Sequence, residues 1–427
     1  MFIRTFVTIL TLLFVLLSFS AVNADDGQAD DSSGDSTYIV SPPVALVVDE
    51  NPDRPIVQQP NVMLLPEADA QSSSGGAVFQ ITYVPAGETD LWGAACQAFP
   101  DQARVAFQVA TSIWSNTIYS PAPITIRACW ASLSGSTLGY AGGGLLHRNF
   151  PNAPRTDAWY QSSLANALAG YDLMPSEFDM HITYNANVAW YFGTDGYPPI
   201  TQYDFVTVAA HEIAHGLNFA GSARIENDTG RLLTPPVVYD LFMEDGIGNK
   251  LTSYPNPSLS LRTALTSDNL WWNGSNARSA NGGARVRMYA PSSWMPGSSY
   301  SHLDYNTFRN TINSLMVYAL SPGSSQHNPG PVTVGILRDM GWSTAPTMYS
   351  LTVSRSGSGS GTVTSNPAGI NCGATCAATF PYGATVTLTA TPAPGHAFAG
   401  WSGACAGTNP VCAVTLTEAR AVTATFN

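Results

Sequence analysis

The chain has 427 residues with 44% hydrophobic and 11% aromatic content, enough apolar material for two or three folded domains and too much for wholesale disorder. Only 11% of residues are charged, and Lys+Arg 17 against Asp+Glu 29 gives a formal net charge of −12. That balance excludes the basic footprint of a nucleic-acid partner and any pull toward an anionic membrane surface.

Met1 to Arg4 place one positive charge ahead of the apolar run Phe6 to Phe19, and the small residues of Ser20-Ala21-Val22-Asn23-Ala24 suit cleavage after Ala24. The run is shorter than the roughly 20 residues of a spanning helix, and no later segment approaches that length, so residues 1–24 read as a secretory signal peptide. The expectation is a secreted, extracellular chain with no membrane span. Its six cysteines, an even count, then read as three disulfides.

Residues 25–77 are rich in Asp, Ser, Pro and Gln, carry little periodicity, and close on the linker-like Ser72-Ser73-Ser74-Gly75-Gly76. A propeptide and a disordered spacer are equally open readings. The segment has neither Cys nor His, so it has no thiolate with which to silence a metal site; latency would need a carboxylate or steric blocking.

From Val78 the texture changes. Val78 to Val84 alternates like a half-buried strand, and Pro100 to Tyr119 places Val105, Val109, Ile113 and Ile118 at roughly helical spacing before Pro121. Ile124 to Trp130 and Asp179 to Tyr184 are further strands. Strands and helices in this order give an α+β domain over residues 78–344. Cys96 follows the first strand and Cys129 ends the second, a plausible bridge. The last zone, 348–427, has three charged side chains (Arg355, Glu418, Arg420), and its alternating runs 384–390 and 421–426 indicate a small all-β module. Cys372 with Cys376 and Cys405 with Cys412 are the preferred local pairings among three connectivities.

The chemistry lies in one helix. Tyr203 to Gly216 is helical in pattern, with Thr201 and Asp204 as candidate caps. His211 and His215, four apart, share a face on which two imidazoles can bind one zinc ion, and Glu212 stands beside them as a general base. Zinc lowers the pKa of a bound water to about 7, within reach of a carboxylate base. A catalytic zinc needs a third protein ligand, and spacing alone does not choose among His147, His181, His302, His327 and His396.

His211-Glu212-Ile213-Ala214-His215-Gly216-Leu217-Asn218-Phe219 resembles the active-site helix of metzincin zinc peptidases. Two positions depart from that pattern: Asn218 replaces a turn glycine, and Gly221 stands where the third His usually comes. Asn tolerates the positive φ of such a turn better than most residues. The leishmanolysin-like branch of the clan inserts a long segment at that point and supplies its third His far downstream, before a Met-turn. Ser299-Tyr300-Ser301-His302-Leu303-Asp304, then Ser314-Leu315-Met316-Val317-Tyr318, then Gly335 to Trp342 are similar to that plan. The resemblance implies a metzincin-like fold (a twisted mixed sheet plus the active-site helix), His302 as third zinc ligand, and Met316 as a hydrophobic base beneath the site. It also implies a weaker role for Tyr318, which sits at the offset of the astacin Met-turn tyrosine. Gly395 to Cys405 and Val422 to Phe426 resemble internalin B-repeat-like modules, which implies contact with a surface or another protein rather than chemistry.

Two readings follow. The first is a secreted zinc-dependent endopeptidase acting on protein or peptide substrates, with Glu212 as base and strand 179–184 (or the stretch near Ala189) as the sheet edge to which substrate adds. The second is a non-catalytic adhesin whose metal site is structural. In the 222–298 insertion, Asp240, Glu244 and Asp245 offer Ca2+ as an unsupported alternative to a plain acidic surface loop.

Overall fold

The structure, a computed structural model, describes residues 38–40, 43–48, 58–59, 76–344, 348–381, 384–416 and 418–427. The signal-peptide segment lies outside the described residues. The chain is α+β with a C-terminal all-β module, and among the described residues no helix is long and apolar enough to cross a membrane.

The central sheet has seven strands. Six of them are β1 (Val44–Val48), β2 (Phe79–Tyr83), β3 (Ile124–Ala131), β4 (Thr137–Gly143), β5 (Met180–Asn185) and β6 (Ala319–Leu320), in the spatial order β6-β1-β4-β5-β3-β2. The short strand Cys96–Gln97 pairs off this path with β3. Strands β2, β3 and β5 are mutually parallel, β4 runs antiparallel to β5, and β1 antiparallel to β4. Ile124, Ile126, Ala128 and Trp130 of β3 are buried, as the alternating pattern requires of a strand covered by helices.

Two expectations change here. Strand β5 is not a sheet edge: β3 and β4 flank it on both sides, so 179–184 has no free ladder to offer a substrate. Residues 25–77 are not wholly spacer either. Strand β1 lies inside the sheet, while Tyr38–Val40 pairs with Leu145–His147 and Gln58–Gln59 pairs with Ser325–Gln326. Val44-Ala45-Leu46-Val47-Val48 is five consecutive apolar residues, mostly β-branched, embedded in a polar zone whose average composition masks it.

Helix α1 (Asp101–Ser115) starts after Pro100, whose extended backbone leads in, with Asp101 favourable at the positive end of the helix. Its buried stripe is Ala103, Ala106, Phe107, Ala110, Ile113 and Trp114. Val105 is 58% exposed, and Ile118 belongs to the next short strand, so the apolar face differs from the one that Val105, Val109, Ile113 and Ile118 outline. Alanines at three- and four-residue spacing form the contact surface because the helix lies close against its neighbour, where small side chains fit. Trp114 Nε1 donates to the carbonyl of Ala210 at 2.9 Å, tying α1 to the helix that carries the candidate site.

Residues 349–426 hold a separate hydrophobic core, built on Leu351, Val363, Leu388, Val422 and Phe426, between two four-stranded sheets. Its disulfides are Cys372–Cys376 and Cys405–Cys412, and the third, Cys96–Cys129, anchors the Cys96–Gln97 strand to the end of β3.

Candidate metal centre

After helix α2 (Ser162–Ala169) comes helix α3 (Phe205–Gly216), capped by Asp204, whose side chain accepts from the Thr207 N–H at 2.8 Å and from the Thr207 hydroxyl at 2.6 Å. Every residue from Phe205 to Gly216 is buried, so the helix runs through the core and its polar side chains must be satisfied from within. Thr201, the other candidate cap, plays no such part. His327 Nε2–H donates to Asp204 Oδ2 at 2.7 Å, which commits this candidate ligand to the start of the helix, away from His211 and His215.

At the far end of α3, Asn218 adopts φ 79°, the left-handed conformation expected of it. Its side-chain oxygen accepts from the Gln161 N–H at 2.8 Å while its own N–H donates to Gln161 Oε1 at 3.0 Å, which locks the helix exit. Gly221 follows. A Cβ at that position would run into the ring of Tyr300, so no histidine fits where the shorter motif carries one.

The third imidazole arrives from residue 302. The Nε2 atoms of His211, His215 and His302 lie 3.0, 3.2 and 3.2 Å from one another. Each Nδ1 meets a backbone carbonyl: Leu315 for His211 at 2.6 Å, Phe219 for His215 at 2.7 Å, and Ser298 for His302 at 2.7 Å. A carbonyl can only accept, so each Nδ1 carries the proton and each Nε2 presents a lone pair. Three lone pairs converging on one point repel unless a cation sits among them. Tetrahedral zinc with Zn–N of about 2.0–2.1 Å sets N–N edges of about 3.3–3.4 Å, close to those seen, so the donor set fits zinc. Among the described residues no other group of three His, Cys, Asp or Glu side chains converges in this way.

All three histidines are fully buried. Burial lowers the His211 pKa to about 4 and holds those of His215 and His302 well below the usual value, so the neutral, ligating form prevails. Glu212 is buried as well; burial raises its carboxyl well above the ordinary range, opposed by the Leu46 N–H, which reaches Oε1 at 3.4 Å. Glu212 Oε2 has no hydrogen-bond partner. Gly139 of β4 leaves it room, since a Cβ there would stand 3.3 Å from Oε1.

Met316 is fully buried in the 3-10 turn Ser314–Met316, directly after Leu315, whose carbonyl orients His211. The Met316 carbonyl accepts from Leu303 N–H at 2.8 Å, which ties this turn to the residue after His302. The Tyr318 ring stacks on Tyr289 with centroids 4.1 Å apart and leans on Tyr305, so its packing lies with other tyrosines.

One supporting residue escapes the sequence reading as a site residue. Tyr300 takes φ 77°, a strained conformation for an aromatic side chain, two positions before His302. Its hydroxyl donates to Asp240 Oδ1 at 2.9 Å, and its carbonyl accepts from Tyr239 Oη at 3.0 Å. Asp240 also accepts from Ser222 and from the Val237 N–H. The insertion therefore anchors the loop that carries His302. Asp240, Glu244 and Asp245 spend their carboxylates on protein donors; Glu244 binds Asn273, Arg285 and Lys250, and Asp245 binds Ile247, Asn249 and Tyr254.

The remaining histidines lie apart from the triad. His396 is exposed in the C-terminal module, and His181 is buried on β5. His147 is buried with Nε2 3.0 Å from the Ser162 hydroxyl, and burial lowers its pKa to about 4. In the unfolded chain it titrates near 6.5. With the folded value depressed, its contribution to stability is fully present above about pH 6.5 and is lost as pH falls through about 4. His147→Gln should therefore be less stable than the parent near neutrality, with the gap narrowing by about 2 kcal/mol between about pH 7.5 and about pH 4.5 in denaturant titrations. A gap independent of pH would contradict the assignment.

Comparison with known families adds two partial matches. The profile of the divergent InlB B-repeat domain matches residues 349–427, which fits the all-β module. A profile described as SPBPB7E8-like matches residues 169–253 and so spans α3. No curated protein and no solved structure matches the chain.

Proposed function

We propose that the chain is a secreted zinc-dependent endopeptidase of metzincin type, nearest in plan to the leishmanolysin-like branch. The observation that carries this reading is the convergence of three tautomer-locked histidines beside a buried carboxylate with a free oxygen. The arrangement of sheet, helix, remote third histidine and methionine turn supports it. His211, His215 and His302 would hold zinc, which when bound acts as a Lewis acid on the scissile carbonyl and acidifies water.

The chain's own residues supply the rest. Glu212 Oε2, which has no other partner, would take a proton from the attacking water and hand it to the leaving amine. The carbonyls of Leu315, Phe219 and Ser298 keep the imidazoles in one tautomer. Strand β4 would offer an antiparallel ladder to an extended peptide in place of the edge expected at 179–184 if β1, which pairs with it here, left that place.

A second reading, an adhesin with a structural metal, draws on the full burial of the four site residues, because structural zinc sites are closed. A structural site has no use for Glu212, whose buried Oε2 lacks any partner. Casein hydrolysis by the zinc-loaded chain, with and without a chelator, separates the two. The peptidase reading expects hydrolysis that a chelator abolishes and zinc restores; hydrolysis indifferent to chelation, or none at all, counts against it.

A further inference from the structure

The left-handed residue Tyr300, at φ 77°, lies midway between Ser298 and His302, and the reversal there lets the Ser298 carbonyl meet His302 Nδ1 at 2.7 Å. Glycine or asparagine would take this conformation with less strain, as Asn218 does at the exit of α3. Tyrosine adds reach. Its ring packs against Gly221, and its hydroxyl donates to Asp240 Oδ1 at 2.9 Å. The backbone beside it is pinned as well. Tyr300 N–H donates to the Tyr289 carbonyl at 2.8 Å, and Tyr289 N–H donates to the His302 carbonyl at 2.9 Å. Gly221 N–H, from the exit of α3, donates to Ser301 Oγ at 3.1 Å.

Three segments meet at Asp240, which is fully buried. Its Oδ1 accepts the Ser222 N–H at 3.0 Å and the Tyr300 hydroxyl, while Oδ2 accepts the Ser222 hydroxyl and the Val237 N–H at 3.2 Å. A buried carboxylate is tolerated when its oxygens are bonded, and here both are. Three of these four bonds fasten the insertion to itself and to the exit of α3. Only the fourth, from Tyr300, reaches the loop of the third histidine.

We propose that the Asp240–Tyr300 pair is a positioning device for the third metal ligand: the bond from hydroxyl to carboxylate holds residue 300 in its left-handed conformation, and that conformation sets the His302 imidazole against His211 and His215. An aromatic residue kept at positive φ is a strained arrangement that persists only where its surroundings enforce it. Without the bond, Tyr300 relaxes toward negative φ, the peptide leading to Ser301 turns, and His302 Nδ1 leaves the Ser298 carbonyl that orients it. The 222–298 insertion thus takes part in metal binding although none of its side chains joins the triad. The inference rests on the reading of the three histidines as a zinc site.

The test uses the full chain and two variants. Tyr300→Phe removes the hydroxyl and leaves the ring against Gly221. Ser222→Ala removes a donor from the other oxygen of the same carboxylate, and the acceptor of the Leu233 N–H, but leaves the Tyr300 bond. Zinc affinity by competition with a zinc dye, thermal midpoints of the zinc-free chains and visible absorption of the cobalt-substituted chains are measured on both variants and the parent. The expected result is zinc bound about 10–100-fold more weakly by Tyr300→Phe, with an altered cobalt spectrum. Ser222→Ala should lower the midpoint at least as far, yet keep the parent's affinity and spectrum. Equal affinity in Tyr300→Phe and the parent, or a loss of zinc in Ser222→Ala as large as in Tyr300→Phe, overturns the positioning role and leaves Asp240 as a structural acceptor. A parent that binds zinc but leaves casein intact strikes the peptidase reading alone, because affinity and spectrum are read without hydrolysis. A parent that binds no zinc overturns both.

Discussion

Replacing Glu212 by glutamine is expected to slow hydrolysis by about 10²–10⁴-fold while leaving zinc bound and the thermal midpoint no lower. Glutamine keeps the size of the side chain and an oxygen for the Leu46 N–H, but it cannot accept and return a proton. The carboxylate it replaces is fully buried, with one oxygen unpartnered, so its charged form is disfavoured by its surroundings. Removing that charge relieves a desolvation cost rather than breaking a bonded network. A midpoint that falls along with activity would mean that Glu212 holds the fold together, as it would in a purely structural site. The measurement is steady-state casein hydrolysis by the zinc-loaded chain, paired with calorimetry and metal analysis.

The second large effect is at His302. Its replacement by alanine leaves two imidazoles on α3 and removes the member of the histidine triad that comes from outside the helix. Loss of a ligand should exceed the 10–100-fold that outer partners of a metal ligand typically cost, so the variant should lose zinc to a moderate chelator that the parent resists, and hydrolysis with it. His327→Ala is the informative control. His327 is equally buried, but it bonds Asp204 at the start of α3, so that variant should lower the thermal midpoint, at a cost of about 1–3 kcal/mol, and keep its zinc. Competition titrations with a zinc dye on both variants distinguish the cases. If His327→Ala releases zinc and His302→Ala does not, the ligand set is wrong.

The local signals in the sequence carry much of this arrangement. His211, Glu212 and His215 follow one another at helical spacing, Asp204 sits where an N-cap belongs, and Asn218 marks the left-handed exit, so the helix and its face are legible without coordinates. The cysteine pairings are legible for a similar reason, because neighbours in sequence or at the ends of adjacent strands have few other partners. His302 is 87 positions beyond His215 in the chain, and only the resemblance to a known plan, not spacing, picks it out. The carbonyls of Leu315, Phe219 and Ser298 leave no trace in side-chain chemistry, since any residue supplies a carbonyl; they exist as site groups only once the chain has folded.

Strand β1 was hidden by its context. Five apolar residues suffice to make a strand when an unpaired ladder is waiting, but the acidic, proline-containing flanks outweigh them in any compositional window. The edge assigned to 179–184 failed because strand order is a long-range property: nothing local tells β5 that β3 and β4 will flank it. Asp240 and Tyr300 illustrate the same limit. An acidic residue in an insertion reads as surface, and only the fold turns it into the buried acceptor that steadies the His302 loop.

The most direct test of a zinc-dependent hydrolysis by these residues is mass spectrometry of casein fragments produced in H2(18)O by the zinc-loaded chain. The expected result is new internal C-termini each carrying one heavy oxygen from solvent, absent after chelation and absent from Glu212→Gln. Fragments that persist in Glu212→Gln at parental rates, or no fragments from a chain shown to hold zinc on His211, His215 and His302, would contradict it.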